Sequence, residues 1–450
     1  MARSAGMVAS NLVIGLLPIV CLIGCSNQSS PVRDQSRGGD RHLQPQGDSY
    51  VTVPVFYATD RLPARQPRPN LRLNMLLGLV AVMLTGLAVM IAVVRKRIAL
   101  TSTALAWTAL MGGVVAIVII GLVGQVTRSA KHAVRYSDSR GVLVRGLSEV
   151  TVPASHQPGR VERPSMLRLE FRERQDRHIV MTRVTELSEI EFRSRLSHSI
   201  QKSDDRDLLL FIHGYNVDFE SAIRRTAQLS VDLPFTGTPV CYSWPSVGKL
   251  SGYTVDQNNA DWTAPHLRQF LLGLIAESGA DAVHVVAHSM GNRAFLSAIE
   301  PLQWKTPYLK SPALGRVVLA APDVDADRFR RDYAPAIGRL AQQVVLYASS
   351  DDRALVASRA IHGYARAGHS GADLVVVPGL ETVDVSGIDL SLLGHSYYGD
   401  NPMILQELSE VLQMGLRANE RKLLLPQGQA PNLFWRLSAH LLTQADAPHP

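Results

Sequence analysis

The sequence predicts an α/β fold, in which a mostly parallel sheet carries helices on both faces. Beyond residue 140, short runs of valine, isoleucine and leucine alternate with longer amphipathic segments, as expected for strands joined by crossover helices. Because these apolar runs are continuous, they indicate strands buried on both faces. The chain has 450 residues, of which 46% are hydrophobic and 19% charged. That composition excludes an intrinsically disordered chain.

The predicted strands and helices alternate along the chain. Strands are predicted at 178–184, 208–212, 239–243, 283–287, 317–321, 344–348 and 374–377. Helices are predicted at 186–198, 219–231, 262–277, 292–300, 326–340 and 353–361. The chain after residue 425 is expected to be an irregular tail with one short helix at 433–442, packed on the domain rather than lying in a membrane interface.

The first apolar segment, residues 12–24, has the length of the hydrophobic region of a signal peptide. It ends in Leu22-Ile23-Gly24-Cys25, which resembles a bacterial lipobox, whose cysteine is lipidated after cleavage. We therefore expect a signal peptide at 1–25 and lipidation of Cys25, with an uncleaved anchor as the alternative. The chain has three cysteines in all, too few for a disulfide framework or a thiolate metal cluster, and Cys241 is expected to be buried and inert.

Two longer apolar runs, 75–94 and 102–126, contain no charged residue, and each has about the 20 residues that cross a bilayer as a helix. They are separated only by residues 95–101, a short connection that begins with Arg95-Lys96-Arg97. The sequence therefore predicts a two-helix transmembrane hairpin at 75–126, with a buried helical pair as the alternative. An export signal followed by two crossings places the catalytic domain in the periplasm, anchored to the bacterial cell envelope.

The net charge of +7 and the isoelectric point near 9.4 first suggest a nucleic-acid partner. Much of the excess positive charge flanks the predicted hairpin, however, where arginine and lysine can pair with anionic lipid headgroups. We therefore expect a membrane as partner and no nucleic acid.

The candidate nucleophile is Ser289, in the sequence Ala287-His288-Ser289-Met290-Gly291. A predicted strand precedes this pentapeptide and a predicted helix follows it, which is the context of a nucleophile elbow. Small residues two positions to either side of the serine allow the sharp turn that exposes the hydroxyl group. A structural serine is the alternative.

Upstream, His213-Gly214-Tyr215-Asn216 follows a predicted strand, at the place where an α/β hydrolase has its oxyanion loop. Two backbone N–H groups must stabilise the oxyanion of acyl transfer, and we assign them to Tyr215 and Met290. His213 is expected to hydrogen-bond the loop. Tyr242 and Trp244 are candidates for the acyl pocket, with core aromatics as an equal alternative.

Chain order predicts the acid and the base, which follow the serine in this fold. Asp352 comes just after the strand predicted at 344–348 and is the favoured acid, and Asp351 is the second choice. Asp323, one strand earlier, is a third candidate that is expected to support the loop or line the pocket. His395 follows the last predicted strand and is the expected general base, whereas His362 and His369 precede that strand. No metal or cofactor is called for.

Seven stretches along the chain carry a family resemblance. They are residues 55–61, 213–216, 242–246, 287–291, 321–325, 347–350 and 394–398. Together they resemble a bacterial α/β-hydrolase family of unknown function in the esterase/lipase superfamily, which implies an α/β-hydrolase fold and a Ser-His-Asp hydrolase. Two features depart from the family pattern: Ala287 replaces the usual first glycine of the elbow, and the hairpin interrupts the N-terminal layer.

The sequence thus predicts a tether and first family motif at 26–74, the hairpin, a hydrolase domain at 140–425 and a tail at 426–450. The expected activity is that of a membrane-anchored serine hydrolase, similar to an esterase or lipase, that cleaves a small-molecule or lipid acyl ester. A peptidase or amidase with the same triad, and a non-catalytic envelope protein that keeps the scaffold, remain alternatives.

Overall fold

The computed structural model describes residues 44–45, 49–64, 135–165, 168–170, 172–308, 312–388 and 402–438. The expected signal peptide with Cys25, the hairpin at 75–126 and His395 lie outside these ranges. Among the helices in the described ranges, none combines the length and the apolar character needed to cross a bilayer.

The strands form one sheet that is parallel over most of its width. In chain order they are β1 Gln44–Pro45, β2 Tyr50–Pro63, β3 Tyr136–Pro153, β4 Val180–Leu187, β5 Leu208–Ile212, β6 Thr238–Ser243, β7 Val283–His288, β8 Leu314–Ala320, β9 Ala341–Ala348, β10 Glu381–Asp384, β11 Leu424–Gln427 and β12 Phe434–Leu437. Within the described residues their order is β11-β12-β10-β9-β8-β7-β5-β6-β2-β3-β4, and β1 pairs with β2. Every neighbouring pair from β12 to β2 is parallel, which confirms the predicted mostly parallel sheet.

Several helices begin after a residue whose side chain caps their first N–H groups. The helices are α1 Glu189–Lys202, α2 Phe219–Asp232, α3 Tyr253–Glu277, α4 Met290–Ile299, α5 Ala326–Arg328, α6 Ala334–Leu340, α7 Arg353–His362 and α8 Pro402–Leu412. Ser188 and Glu191 form a capping box at α1, and the side chain of Asp218 caps α2. A π-helical turn over Phe329–Tyr333 joins α5 to α6.

Helices cover both faces of the sheet, as the sequence predicts. Leu208, Leu210 and Ile212 of β5 share one apolar cluster with α1, α3 and α4, whereas Leu209 and Phe211 share another with α8 and the end of α2. The side chains of a strand alternate between faces, so β5 is buried on both sides. The central strands are therefore packed firmly on both faces. The loops that follow β5, β7 and β8 carry the candidate site.

The strand predicted at 374–377 is wrong, since these residues form an irregular segment and β10 begins only at Glu381. Val375 is nevertheless buried in the core, and its carbonyl oxygen accepts a hydrogen bond of 2.8 Å from Thr382 Oγ1. The turn at Pro378-Gly379, where Gly379 has a φ of 89°, separates the segment from β10. A short apolar run can thus be buried without pairing in the sheet.

The helix predicted at 433–442 is also wrong where the structure describes it, because Phe434–Leu437 forms β12 beside β10. With β11, this strand extends the sheet into the segment expected to be an irregular tail. Near the opposite edge of the sheet, β2 and β3 pair over a long stretch. Both lie earlier in the chain than the first predicted strand at 178–184, so the sequence did not predict them.

Candidate active site

Ser289 lies at the sharp turn between β7 and α4. Its φ of 49° and ψ of −122° fall in a backbone region that residues other than glycine rarely adopt. The turn directs the chain from a buried strand into a helix at the carboxyl edge of the sheet, and the serine is 7% exposed. This is the backbone geometry expected of a nucleophile elbow.

Hydrogen bonds on both sides hold the strained turn. The N–H of Ser289 donates to Ala320 O at 2.9 Å, and its carbonyl oxygen accepts from the N–H groups of Asn292 at 3.1 Å and Asp323 at 3.3 Å. Asn292 Nδ2 also donates to the carbonyl oxygens of Ser289 at 3.2 Å and Ala320 at 3.0 Å. The turn is therefore fixed to β8 and to the loop after it, and Asn292 is a contributor that the sequence did not single out.

The loop after β5, residues 213–217, lies against the elbow. A Cβ placed on Gly214 would lie 2.7 Å from His288 Nδ1 and 3.0 Å from Ser289 Cβ, so the absence of a side chain permits this close approach. The next residues are held by a buried carboxylate, since Asp256 Oδ2 accepts from Asn216 N at 3.4 Å and from Ser246 Oγ at 2.5 Å. Ser246 Oγ in turn accepts from Val217 N at 3.2 Å.

The two assigned oxyanion donors lie next to Gly214 and Ser289 in the sequence. Tyr215 follows Gly214 directly, and Met290 is the first residue of α4, where backbone N–H groups have no partner within the helix. The positive end of the α4 dipole also favours negative charge beside Ser289. The start of α4 beside Ser289 thus favours an anion there, whereas the oxyanion role of the Tyr215 and Met290 N–H groups stays a prediction.

His213, Trp244 and Tyr242 lie under the loop. The Trp244 ring stacks on His213 at 5.0 Å, and its Nε1 donates to His213 O at 2.7 Å. His213 Nδ1 is 2.8 Å from Gly214 O. Tyr242 OH contacts Thr263 Oγ1 at 2.8 Å and Asp60 Oδ2 at 3.2 Å, and both aromatic side chains are fully buried. His213 and Trp244 therefore support the loop, whereas Tyr242 is a buried core residue bonded to Thr263 and Asp60.

Arg61, near the end of β2, is a buried cation at the same loop, and sequence reasoning gave it no role. Only 1% of it is exposed, and its guanidinium donates to Val217 O at 2.7 Å, Ser246 O at 3.0 Å and Ser243 Oγ at 3.0 Å. Burial lowers the pKa of Arg61 to about 10, against the opposing charges of Asp218, Asp60 and Asp256. The side chain is therefore still a cation at neutral pH. Its position in the motif at 55–61 was the available signal.

Asp323 lies beside the elbow in a buried polar cluster. Its carboxylate pairs with Arg366 Nε at 2.9 Å and accepts from Ser358 Oγ at 2.6 Å and Tyr253 OH at 2.7 Å. Burial and the Asp323 charge raise the pKa of Tyr253, which therefore stays a hydrogen-bond donor. This arrangement joins α3 and α7 to the loop after β8.

The two aspartates after β9 are bound to backbone N–H groups. Asp352 Oδ1 caps α7 by accepting from Ala354 N at 2.8 Å and Leu355 N at 3.1 Å, and Asp351 Oδ2 accepts from Gly387 N at 2.6 Å. The latter bond ties the end of β9 to the turn after β10. That turn leads toward residue 389, where the description stops until residue 402.

The alternative histidines have structural surroundings. His362 Nδ1 is 2.7 Å from Ser358 O at the end of α7, and its ring contacts Tyr253 edge-on at 6.0 Å. His369 pairs through its backbone with Ser349 in an isolated bridge. The expected base, His395, lies in the gap between residues 388 and 402.

Three neighbouring strands are each followed by a residue with positive φ. These residues are Asn216 after β5 with 59°, Ser289 after β7 with 49° and Ala321 after β8 with 45°. Such conformations cost about 1–3 kcal/mol each and cluster at functional sites. The strain therefore marks the carboxyl edge of β5, β7 and β8 as the candidate site.

Metal ligands and thiols offer no second candidate within the described ranges. No group of three or more histidine, cysteine, aspartate or glutamate side chains there is arranged to hold a metal ion. Cys241 is buried in β6, and burial raises the pKa of its thiol to about 12. A thiol of that pKa is a poor nucleophile at neutral pH.

A family model identifies the α/β-hydrolase fold in this chain. A family model described as "Alpha/beta hydrolase of unknown function (DUF900)" matches residues 188–412, half of the chain. A crystal structure of a protein from Lactobacillus plantarum WCFS1, assigned as a cell surface hydrolase, is similar at a TM-score of 0.30 with 11% identity, over 50% of this chain and 97% of that one. At that TM-score the similarity carries no argument about fold or function. A comparison with curated proteins found no match.

Proposed function

Because the chain belongs to the α/β hydrolases of unknown function (DUF900), we propose that it is a serine hydrolase that cleaves an acyl ester with Ser289 as nucleophile. One observation carries the proposal: the strained backbone of Ser289, with φ 49° and ψ −122° at the junction of β7 and α4. Strain of this kind persists only where the surroundings enforce it. Here four hydrogen bonds do so: Ser289 N donates to Ala320 O, and Ser289 O accepts from Asn292 N, Asn292 Nδ2 and Asp323 N. A serine with only a structural role has no need of this strain.

The proposed reaction is an acyl transfer to serine followed by hydrolysis. His395 accepts the proton of Ser289 Oγ as the oxygen attacks the acyl carbon, and the N–H groups of Tyr215 and Met290 stabilise the oxyanion. The alcohol leaves with the proton from His395. Water then attacks the acyl carbon of the acyl-enzyme and gives one proton to His395. As the acyl–oxygen bond breaks, His395 returns this proton to Ser289 Oγ, so the acid is released and both side chains are restored.

The acid of the proposed triad is Asp352, which orients the imidazole of His395 and stabilises its positive charge. Its position after β9 and the bond from Gly387 N to Asp351 support this assignment, because they bring the ends of β9 and β10 together. Asp351 is the second choice. Asp323 is surrounded by Arg366, Ser358 and Tyr253, which supports a role in holding the loop beside Ser289.

We further propose that the hydrolase is anchored in the bacterial cell envelope with its catalytic domain in the periplasm. The signal peptide at 1–25, lipidation at Cys25 and the hairpin at 75–126 all rest on the apolar runs of the sequence. Supporting this, Ala64 N donates to Arg135 O at 2.7 Å, so the chain leaves and re-enters the sheet at one point. An insertion that starts and ends together can form a hairpin of two crossings.

A fluorophosphonate probe tests the nucleophile. We expect it to label the wild type and the Ser297→Ala control on α4, but not Ser289→Ala. Equal labelling of wild type and Ser289→Ala removes Ser289 from the role. An absence of labelling and of turnover in the wild type favours the non-catalytic envelope protein.

The substrate class is tested with acyl esters of increasing chain length and with peptide amides, using Ser289→Ala as the blank. Ester cleavage supports the proposal, and a preference for amides assigns the same site to a peptidase or amidase. For the location, a C-terminal reporter that is active only in the periplasm should be active. A silent reporter contradicts the periplasmic assignment.

A further inference from the structure

The orientation of one peptide plane decides whether the oxyanion loop can work. A trans peptide is planar, so the C=O of Gly214 and the N–H of Tyr215 point in opposite directions. Because Gly214 has no side chain, it does not itself restrict the orientation of this peptide plane. Whatever binds Gly214 O therefore also determines the direction of Tyr215 N–H, the assigned oxyanion donor.

In the structure the group next to Gly214 O is His213 Nδ1, at 2.8 Å. A carbonyl oxygen only accepts, so Nδ1 must carry a proton to bond it. A neutral imidazole with its proton on Nδ1 has an acceptor at Nε2. The environment of Nε2 thus selects the tautomer that holds the peptide.

Two donors surround His213 Nε2. Ser243 Oγ lies at 3.3 Å and a guanidinium nitrogen of Arg61 at 3.5 Å. Arginine has no acceptor atom, and Ser243 Oγ already accepts from Arg61 Nε at 3.0 Å, which leaves its hydroxyl hydrogen free to point to Nε2. Both neighbours therefore favour an unprotonated Nε2.

Arg61 also fixes the far end of the loop. It donates to Val217 O at 2.7 Å and Ser246 O at 3.0 Å, while a third carbonyl, Ser137 O on β3, lies at 3.2 Å. The planar guanidinium can make these contacts at once because its five N–H groups have a fixed geometry. A lysine has a single ammonium and cannot reproduce them.

We propose that Arg61, Ser243 and His213 are positioning residues that orient the Gly214–Tyr215 peptide and thereby aim the Tyr215 N–H at the oxyanion. The inference rests on the proposed hydrolase function and goes beyond it, since none of the three touches the reacting atoms. It assigns a role in acyl transfer to β2, the strand that leads into the inserted segment.

The test measures turnover per active site. Sites are counted by labelling with excess fluorophosphonate, and kcat and KM are then measured on a soluble p-nitrophenyl ester. We expect Arg61→Lys to lower kcat about 10–100-fold and His213→Ala about 100-fold, with KM changed less than about twofold, because a donor of the transition state is lost. His213→Asn, whose amide N–H can replace Nδ1–H, should recover much of the loss.

Arg224→Lys is the matched control. Arg224 is 2% exposed and donates to Ile179 O and to Glu173 Oε1, both at 2.7 Å, so its replacement also disturbs a buried arginine network. Its kcat per site should equal that of the wild type. If Arg61→Lys does not fold, the pair His213→Ala and His213→Asn decides the question.

Unchanged kcat per site in Arg61→Lys and His213→Ala overturns the inference while the proposed function stands. If the wild type is neither labelled nor active, the proposed function fails instead, and the positioning role is then read from the amide resonance of Tyr215 in protein labelled with ¹⁵N-tyrosine. That resonance should move in His213→Ala and Arg61→Lys and stay in place in Arg224→Lys. A Tyr215 resonance unmoved in all three contradicts the inference.

Discussion

Gly291 and His213 are in contact through their backbones: a Cβ placed on Gly291 would lie 2.3 Å from the carbonyl oxygen of His213. The same Cβ would lie 2.8 Å from Ile212 O. Both obstacles are backbone atoms of β5 and its loop, which cannot move away as a flexible side chain could. The first turn of α4 therefore fits the end of β5 only without a side chain at this position.

Gly291→Ala should consequently separate α4 from β5. We expect the free energy of unfolding to fall by about 3 kcal/mol, as for an overpacked core, and labelling of Ser289 to slow at least tenfold. Denaturant unfolding and the labelling rate measure the two effects. Gly273→Ala on α3 is the control, because a Cβ there has no neighbour within 4 Å, and it should stabilise the helix by about 0.5–1 kcal/mol. Similar losses in both variants would contradict the packing argument.

Residues 65–134 should be removable without loss of the hydrolase domain. Pro63 pairs with Tyr136, and Ala64 N donates to Arg135 O at 2.7 Å, so a two-residue Asn-Gly turn can join Ala64 to Arg135 as a hairpin. We expect the shortened protein to fold and to react with fluorophosphonate at the rate of the full chain. Circular dichroism and the labelling rate check this. An unfolded product would show that the insertion is needed for the sheet.

The stability of the protein should depend on pH through His156. Its Nε2 is 2.7 Å from Asp232 Oδ1 and its Nδ1 2.9 Å from Glu162 Oε2. Burial alone would lower the pKa of His156, but the hydrogen bonds and charges of the two carboxylates outweigh it and raise the pKa to about 9. The folded pKa lies above the unfolded value near 6.5, so the stabilisation is complete below about pH 6.5 and is lost as the pH rises through about 9.

His156→Asn should therefore lower the melting temperature strongly at pH 6 and little at pH 10. The shift in pKa corresponds to about 3 kcal/mol at pH 6. Melting curves of both proteins between pH 6 and 10 measure the difference, with His198→Asn on the exposed side of α1 as the control. A gap between wild type and His156→Asn that stays constant over this range would contradict the ion-pair explanation.

Substitution of two aspartates should distinguish the acid of the triad from a structural carboxylate. Asp352→Asn keeps a side-chain oxygen that can cap α7, so stability should change by less than about 0.5 kcal/mol while kcat falls roughly 10³–10⁴-fold. Asp323→Asn leaves Arg366 buried without its counter-charge and should lower the free energy of unfolding by about 3–5 kcal/mol. Urea unfolding and kcat per labelled site measure both. Full activity in Asp352→Asn would transfer the acid role to Asp351 or Asp323.

The central strands could be predicted from the sequence because their burial on both faces leaves an unbroken apolar run, as at Leu208–Ile212, which the structure reproduces without change. The elbow could be recognised because a small residue, a serine and a glycine stand at fixed spacing between a strand and a helix. The run at 374–377 misled because an apolar segment can cover the core without joining a ladder.

The support of the site could not be predicted, since it depends on residues far apart in the chain. Arg61 lies 152 positions before His213, with which it shares a hydrogen-bonded network. Likewise Tyr253 reaches Asp323 because α3 begins at Tyr253, nine residues before its predicted start at 262. Polar residues at the first turns of α3 carry no apolar period, and only tertiary packing shows that they are helical.

The three positive φ values at Asn216, Ser289 and Ala321 have a consequence for how the protein tolerates mutation. Three unfavourable conformations after neighbouring strands concentrate strain at the carboxyl edge of the sheet, and we expect this edge to tolerate less destabilisation than the strands themselves. Substitutions in distant parts of the core should thus abolish activity at a smaller loss of stability than is needed to unfold the sheet. In evolution, a lineage that gave up catalysis could relax these positions and gain a more robust scaffold.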